Sequence, residues 1–168
     1  MIFLQRAVRT ILVVAALLMP LAVATVVSAT PASAASCSGS SCTGKDPSAT
    51  GCASSGSVTT TQGVWNGDLS VELRHSSGCG TFWARMTLSD SNCCFAMQAM
   101  VERQLKTPYG YYDANVYYRS VLPAAGGPGT WWTAMVPNTS DDRTRACYRL
   151  GTDSNNPKWS GWSCTGWH

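Results

Sequence analysis

The stretch SVELRHSSGCGTFWARMTL, residues 70–88, decides the fold. Its first part alternates Val and Leu with Glu and Arg, and its last part alternates Phe, Ala, Met and Leu with Trp, Arg and Thr. Alternation with a period of two is typical of β-strands that bury one face. Residues 75–80 between the two parts are rich in Ser and Gly and predict a turn. We therefore expect two strands joined as a hairpin.

The same alternation recurs along the rest of the chain. It covers residues 95–101, 111–121, 131–136 and 145–150, and Pro or Gly residues occur at 108–110, 126–129 and 137. Short strands separated by turns predict an all-β fold, which is a small antiparallel β-sandwich or barrel. A helix competes over residues 94–105, because Ala, Met, Gln, Glu and Arg favour helices.

Residues 1–34 have the features of a cleaved secretory signal peptide. Arg6 and Arg9 precede an apolar run at residues 11–27, and Ala-Ser-Ala at 32–34 suits a signal peptidase. A membrane anchor is the alternative, since a span needs about 20 predominantly apolar residues. The proline at position 20 and the Ala-x-Ala sequence favour cleavage. We expect a secreted, extracellular protein that has no membrane contact once the signal is removed.

The net charge argues against a nucleic-acid partner. The 168 residues carry a formal charge of +3, but two basic residues lie in the predicted signal, so ten basic and nine acidic residues remain. Nucleic-acid binding usually needs a clustered basic face. Arg143, Arg145 and Arg149 lie close together but follow two aspartates, so we interpret them as a solvated strand edge.

The cysteines predict a framework of disulfide bonds. All eight follow the predicted signal: Cys37, Cys42, Cys52, Cys79, Cys93, Cys94, Cys147 and Cys164. An even number in a small exported domain is typical of disulfide bonding. Cys93 and Cys94 are neighbours and poorly placed to bond each other. We expect them to bond different partners, Cys147 and Cys164 among them, while the first four cysteines pair among themselves.

The mature chain has two regions of different amino-acid composition, which we expect to fold together as one domain. Residues 35–56 are rich in Cys, Gly and Ser and predict a loop-rich N-terminal cap. Residues 57–168 predict a disulfide-stabilised β-domain that forms a single domain with the cap. The cysteine gaps are irregular and only two histidines occur, so we predict no metal site and no cofactor.

Part of the chain resembles a known family. Cys-x4-Cys-x-Gly-Lys-Asp-Pro at residues 37–47, Thr-Gly-Cys at 50–52 and Val-Glu-Leu-Arg-His-Ser-x2-Cys-x3-Trp-Ala-Arg at 71–85 carry the resemblance. It is to the YjfA-like family of small exported bacterial proteins, a domain of unknown function, and it covers roughly residues 36–88. The family often has Tyr where this chain has His75. The resemblance implies no catalytic residues, and it implies stand-alone secreted proteins or extracellular modules of membrane-bound regulators.

The residues needed for catalysis do not form a convincing set. A nucleophile needs a base, and His75 is the only histidine inside the chain. A glycosidase needs two carboxylates at one groove, which would require Glu72, Glu102 or Asp113 to converge. We predict that the protein is not an enzyme. Two alternative functions remain behind the preferred one: a secreted protease inhibitor is the second hypothesis and a cell-wall hydrolase is the third. Residues 126–130 are too flexible to serve as the inhibitory loop of a protease inhibitor.

Aromatic residues are the best candidates for binding. Some tryptophans of so small a domain must serve its core, Trp83 foremost. The remaining aromatic residues can form an exposed platform that binds sugar rings, peptides or proteins. This platform hypothesis fails if the five tryptophans named below are all buried. The candidates are Tyr111, Tyr112, Trp131, Trp132, Trp159, Trp162 and Trp167. We predict a binding module for a cell-envelope or extracellular ligand, either cell-wall polysaccharide or an extracellular protein.

Overall fold

A computed structural model of the protein describes residues 34–64, 67–90, 96–121, 127–153 and 156–168. The strands in these segments are β1 Gly56–Val64, β2 Leu69–Ser76, β3 Thr81–Leu88, β4 Ala96–Thr107, β5 Gly110–Val121, β6 Gly129–Trp132, β7 Val136–Pro137, β8 Asp142–Gly151 and β9 Ser163–Cys164. The predicted signal peptide, apart from its last residue, lies outside the described residues, and so do Cys93 and Cys94. No helix in the described segments is long and apolar enough to cross a membrane.

The described strands form two antiparallel sheets. The first sheet has the order β1-β2-β3-β6, with β7 also paired to β3, and the second has the order β5-β4-β8-β9. The predicted hairpin over residues 70–88 is confirmed, because β2 and β3 pair along their whole length. The all-β prediction is confirmed as well. Of the two architectures predicted, the described strands form the sandwich rather than a closed barrel.

The main core lies between one face of each sheet. Leu73 and Met86 of the first sheet and Met97 and Val101 of the second are fully buried there. The prediction that alternate residues of β3 lie on one buried face is confirmed, because the main core contains Phe82, Ala84, Met86 and Leu88. Removing apolar surface from water stabilises the fold by about 25 cal/mol per Å² buried.

Strand pairing shows that the segment with a helix as its alternative, residues 94–105, lies mostly in a strand. Residues 96–107 are strand β4, which pairs with β5 on one side and with β8 on the other. Its alternate residues Met97, Ala99 and Val101 enter the main core. A central strand with two hydrogen-bonded neighbours and a buried face outweighs the helix propensity of individual residues.

The prediction of one strand over residues 131–136 is wrong. β6 ends at Trp132 and β7 begins at Val136. Between them the hydroxyl of Thr133 accepts a hydrogen bond from the backbone N–H of Ala84 at 3.1 Å, in place of a backbone carbonyl. The backbone N–H of Met135 then donates to the cap at Lys45 (2.9 Å). The segment therefore leaves the sheet in order to bind the N-terminal cap.

The N-terminal cap has a small core of its own. It contains two short 3-10 turns, Gly39–Cys42 and Cys52–Ser55, and the disulfides Cys37–Cys42 and Cys52–Cys79. The prediction that the first four cysteines pair among themselves is confirmed. Buried Cys42, Cys52, Cys79, Trp83 and Met135 pack together on the side of β3 that faces away from the main core.

The predicted partners of the last two cysteines are wrong. Cys147 and Cys164 bond each other and join β8 to β9. They lie directly opposite in the β8–β9 register, which brings their side chains together without any remote partner. All six described cysteines are paired among themselves, so none of them bonds Cys93 or Cys94.

Loop length predicts how much each cap disulfide stabilises the protein. Replacing both Cys52 and Cys79 by Ser should lower the free energy of unfolding by about 3.5 kcal/mol, because that bond joins residues 27 positions apart. Replacing Cys37 and Cys42, only 5 positions apart, should cost about 2 kcal/mol by the same relation. Urea unfolding of the two double variants measures the difference. A larger loss for the shorter loop would contradict the expectation.

Candidate binding face

The outer face of the second sheet, which faces away from the main core, carries arginines in contact with aromatic rings. We call this surface the ladder face. Its members are Arg143, Arg145 and Arg149 of β8, Tyr111 and Tyr118 of β5, and Trp159, Trp162 and Trp167 of the C-terminal segment. The arginines occur at every second or fourth position of β8, so they share one side of the strand.

At one end of the ladder face, two rings enclose one guanidinium. The Cζ atom of Arg143 lies 3.9 Å from the ring centre of Tyr111 and 4.3 Å from that of Trp167. Arg145 approaches the same indole, with its Cζ atom 4.2 Å from the ring centre. Cations within about 6 Å of a ring centre are attracted by the negative face of the ring. Tyr111, Arg143, Trp167 and Arg145 therefore form a continuous stack.

At the other end, Arg149 contacts two indoles. Its Cζ atom lies 4.5 Å from the ring centre of Trp162 and 4.7 Å from that of Trp159. Trp162 in turn contacts Tyr118, with ring centres 5.8 Å apart and planes inclined at 32°. This second stack extends the aromatic surface from β5 across the sheet to the C-terminal segment.

Side chains of the neighbouring strand hold the three guanidinium groups in place. Each arginine donates from Nε to the residue opposite it on β4, and each of these bonds is 2.8 Å long. The pairs are Arg143 with Gln104 Oε1, Arg145 with Glu102 Oε2, and Arg149 with Gln98 Oε1. Since each arginine is fixed by both a ring and a hydrogen bond, its guanidinium group is held in one position on the face.

A second row of hydrogen bonds connects β4 to β5. Gln104 Nε2 donates to Glu102 Oε1 at 3.0 Å and to Asp113 Oδ1 at 2.7 Å. Gln98 Nε2 donates to Ser120 Oγ at 2.9 Å. The amide orientation of both glutamines is therefore set by partners on each side, and this directs their oxygens towards the arginines.

The C-terminal segment places the tryptophans by pairing with β8. The backbone N–H of Ser160 donates to Leu150, and the backbone groups of Thr144 and His168 bond each other in both directions at 2.9 Å. The Cys147–Cys164 disulfide fixes the middle of the segment. The three indoles consequently lie against the arginines and are half-buried, so they both anchor the segment and present surface to solvent.

The structure brings together four of the seven aromatic residues predicted as binding candidates. Tyr111, Trp159, Trp162 and Trp167 all belong to the ladder face. All five candidate tryptophans are half-buried rather than fully buried, so the condition that would have rejected the platform hypothesis is not met. Trp83, by contrast, is 2% exposed, as expected for the predicted core residue.

The other three candidates lie elsewhere. Tyr112 pairs with Leu105 of β4 and is 51% exposed on the opposite face from Tyr111. Trp131 packs against the main core, and Trp132 packs against the core of the cap. The indole N–H of Trp132 also donates to Asp46 Oδ2 at 2.9 Å. The two adjacent tryptophans point to opposite sides, as neighbours on a strand must, and each supports a different core.

The interpretation of Arg143, Arg145 and Arg149 as a solvated strand edge is wrong. β8 lies between β4 and β9, and the guanidinium groups are half-buried against aromatic rings. The preceding Asp142 bonds Arg103 on the other side of the sheet instead of these arginines. The even-numbered spacing of the three arginines along one strand is the signal that points to a shared face.

The three carboxylates considered for hydrolysis do not meet at one groove. Glu72 lies on the outer face of the first sheet, where its Oε2 is 2.6 Å from Arg85 Nη2 and 3.6 Å from Arg74 Nη1. Glu102 and Asp113 do share the ladder face, through Gln104. Glu102 is only 7% exposed.

His75 is placed among aromatic groups. Its ring centre lies 4.6 Å from that of Phe82, which also contacts His168 at 5.3 Å. Burial lowers the pKa of His75, and the charge of His168 lowers it further. Its Nε2 lies 3.2 Å from Asn138 Nδ2. Since Ser76 follows it on the strand and points to the opposite face, these two neighbours do not form a nucleophile and base.

Three cysteine sulfurs lie close together in the cap. The Sγ atoms of Cys37, Cys42 and Cys52 are within 4.8 Å of one another. Zinc is bound by thiolates, and each of these sulfurs is instead part of a disulfide. The group does not have the donor chemistry of a zinc site while these bonds are intact.

Comparison with known proteins identifies a family without an assigned activity. No curated protein and no solved structure matches the chain. The model of a family described as protein of unknown function, DUF2690, matches residues 40–147, which is more than half of the chain. The match extends from the cap to β8 and includes the first half of the ladder face. The chain therefore belongs to the DUF2690 family of proteins of unknown function.

Proposed function

We propose that the protein is an extracellular, non-enzymatic module that binds a cell-envelope polysaccharide on its ladder face. The observation that carries this proposal is the series of aromatic rings held beside guanidinium groups on one sheet face. An aromatic ring packs against the apolar side of a sugar, while polar tips and guanidinium groups supply hydrogen bonds to its hydroxyls. Both kinds of contact are available side by side.

The shape of the ladder face suits an extended ligand. From Arg143 to Arg149 the strand advances six residues, which is roughly 20 Å at about 3.4 Å per residue. The side chains form a line on the face of the sheet rather than lining a closed cavity. A peptide added to a sheet would instead pair with the backbone of an edge strand. The linear arrangement of side chains favours a polysaccharide over a protein partner.

The proposed location rests on separate features. Three disulfides among the described residues fit an oxidising compartment, where such bonds persist. The signal peptide predicted at residues 1–34 and the resemblance to the YjfA-like family support the same location.

Two neighbouring tyrosines provide the test of the binding face. Replacing Tyr111 by Ala should weaken binding to purified cell walls about tenfold, a loss of roughly 1.4 kcal/mol, because it removes the ring that stacks on Arg143. Replacing Tyr112 by Ala should leave binding unchanged, since this ring lies on the opposite face and is similarly exposed, at 51% against 44%. Sedimentation with insoluble cell walls measures both affinities. Equal losses for the two variants would contradict the proposal.

The same preparations test the two other functions considered. A cell-wall hydrolase would release reducing sugars from the walls, and Glu102→Gln would abolish that release. A protease inhibitor would slow secreted proteases in the absence of any polysaccharide. Binding without either activity is the expected result, and either activity without wall binding would replace the proposed function.

A further inference from the structure

We propose that the ladder face selects polysaccharides whose sugars carry carboxylate groups. This inference rests on the proposed function and specifies its ligand class. The face carries three guanidinium groups, and two carboxylates, those of Glu102 and Asp113, lie beside them. Only Arg145 forms an ion pair with one of these carboxylates among the described residues.

The hydrogen-bond partners of Arg143 and Arg149 do not neutralise the positive charge of these arginines. Arg143 and Arg149 donate from Nε to Gln104 and Gln98, which are neutral amides. A glutamine fixes the position of a guanidinium group without compensating its charge. Had these contacts served only to hold the sheet together, carboxylates in the same positions would form stronger, charge-assisted bonds. The neutral partners favour an external anion as the missing counter-charge.

The guanidinium groups retain donors for that anion. In the described segments, the Nη atoms of Arg143, Arg145 and Arg149 form no hydrogen bond with another residue. The side chain of Arg145 is 30% exposed even though it bonds Glu102. Parallel N–H groups of a guanidinium match the two oxygens of a carboxylate, and this pairing is selective as well as strong. The rings beside the arginines partly exclude water, which strengthens the attraction.

The aromatic rings decide between two anionic polymers. Phosphate-linked chains would also pair with arginine, but an open-chain polyol phosphate presents no sugar ring for Tyr111 or the indoles. A polymer of acidic sugars presents a ring and a carboxylate in every unit. The alternation of rings and guanidinium groups on the ladder face therefore favours the acidic sugar polymer.

Polygalacturonate and its methyl ester provide a matched pair of probes, because they share a backbone and differ in charge. The wild-type protein should bind polygalacturonate at least tenfold more tightly than the ester, and this preference should shrink as salt is raised. Arg149→Gln should reduce the preference to less than threefold. Arg119→Gln is the control, because it makes the same change of charge on the opposite face of β5 from Tyr118. Isothermal titration calorimetry measures each affinity, and circular dichroism confirms that the variants are folded.

Each result of this experiment separates the inference from the proposed function. Equal binding of the acid and the ester would overturn the charge selectivity and leave polysaccharide binding intact. Binding of neither probe, together with no binding to cell walls, would overturn both. Tighter binding of inorganic polyphosphate than of polygalacturonate would show that the face recognises anions without a sugar ring, and this would also overturn the inference. The comparison of acid with ester needs only wild-type protein, so it holds even if Arg149→Gln does not fold.

Discussion

Replacing Asp142 by Ala is expected to lower the free energy of unfolding by about 3–5 kcal/mol, because it leaves a buried charge without its partner. The side chain of Asp142 is 3% exposed and that of Arg103 is 11% exposed, and Arg103 Nη2 lies 2.5 Å from Asp142 Oδ2. Arg103 also donates from Nη1 to Asn115 Oδ1 at 2.7 Å. The pair thus connects β4, β5 and β8 on the side of the sheet opposite the ladder face.

The preceding aspartate supplies the matched control for this variant. Asp141 is exposed, so Asp141→Ala should change stability by no more than about 0.5 kcal/mol. Adding Arg103→Met to Asp142→Ala should restore part of the loss, because it removes the buried charge that caused it. Urea unfolding of the four proteins gives the comparison. A loss below about 1 kcal/mol for Asp142→Ala would show that water reaches Arg103 and compensates its charge.

Replacing Trp83 by Ala is expected to cost about 3–5 kcal/mol of stability, because it removes the largest side chain from the core of the cap. Trp83 is 2% exposed and packs with Cys42, Cys52, Cys79 and Met135. The fit is close, because a Cβ atom added at Gly56 would lie 2.5 Å from the indole. The Cys52–Cys79 disulfide ties two parts of this core together, so we expect the cavity left by the indole to close only in part. Thermal unfolding with the disulfides intact measures the loss.

Trp162 serves as the comparison, because it is half-buried and belongs to the ladder face. Trp162→Ala should cost less than half as much stability as Trp83→Ala, and it should weaken binding to cell walls. Trp83→Ala should retain wall binding at temperatures where it is folded. If the two variants showed the opposite pattern, with binding lost through Trp83 and stability through Trp162, the assignment of a core and a binding tryptophan would be wrong.

The site was harder to predict than the fold. Tyr111 and the three C-terminal tryptophans were identified because aromatic residues are conspicuous in a small domain with a polar tail. The sequence alone predicts that Arg143, Arg145 and Arg149 are solvated, because the two aspartates before them offer nearby counter-charges. Asp142 instead bonds Arg103, 39 positions away in the sequence. A contact between residues so far apart leaves no signal in the spacing of either one.

Alternation of apolar and polar residues is enough to predict β2, β3, β5 and most of β8 and, for β3, the face that enters the main core. This information is local, because a strand places every second side chain on the same side. The tertiary structure decided which strands lie side by side. This strand order makes residues 96–107 a strand instead of a helix, places Cys147 opposite Cys164, and stacks the rings on the arginines of the ladder face. Each of these three features depends on which strand pairs with β4 or β8. Strand pairing is in turn selected because it buries one face of each sheet against the other. The sequence therefore carried the rings and the charges of the candidate site, and the packing of the two sheets brought them together.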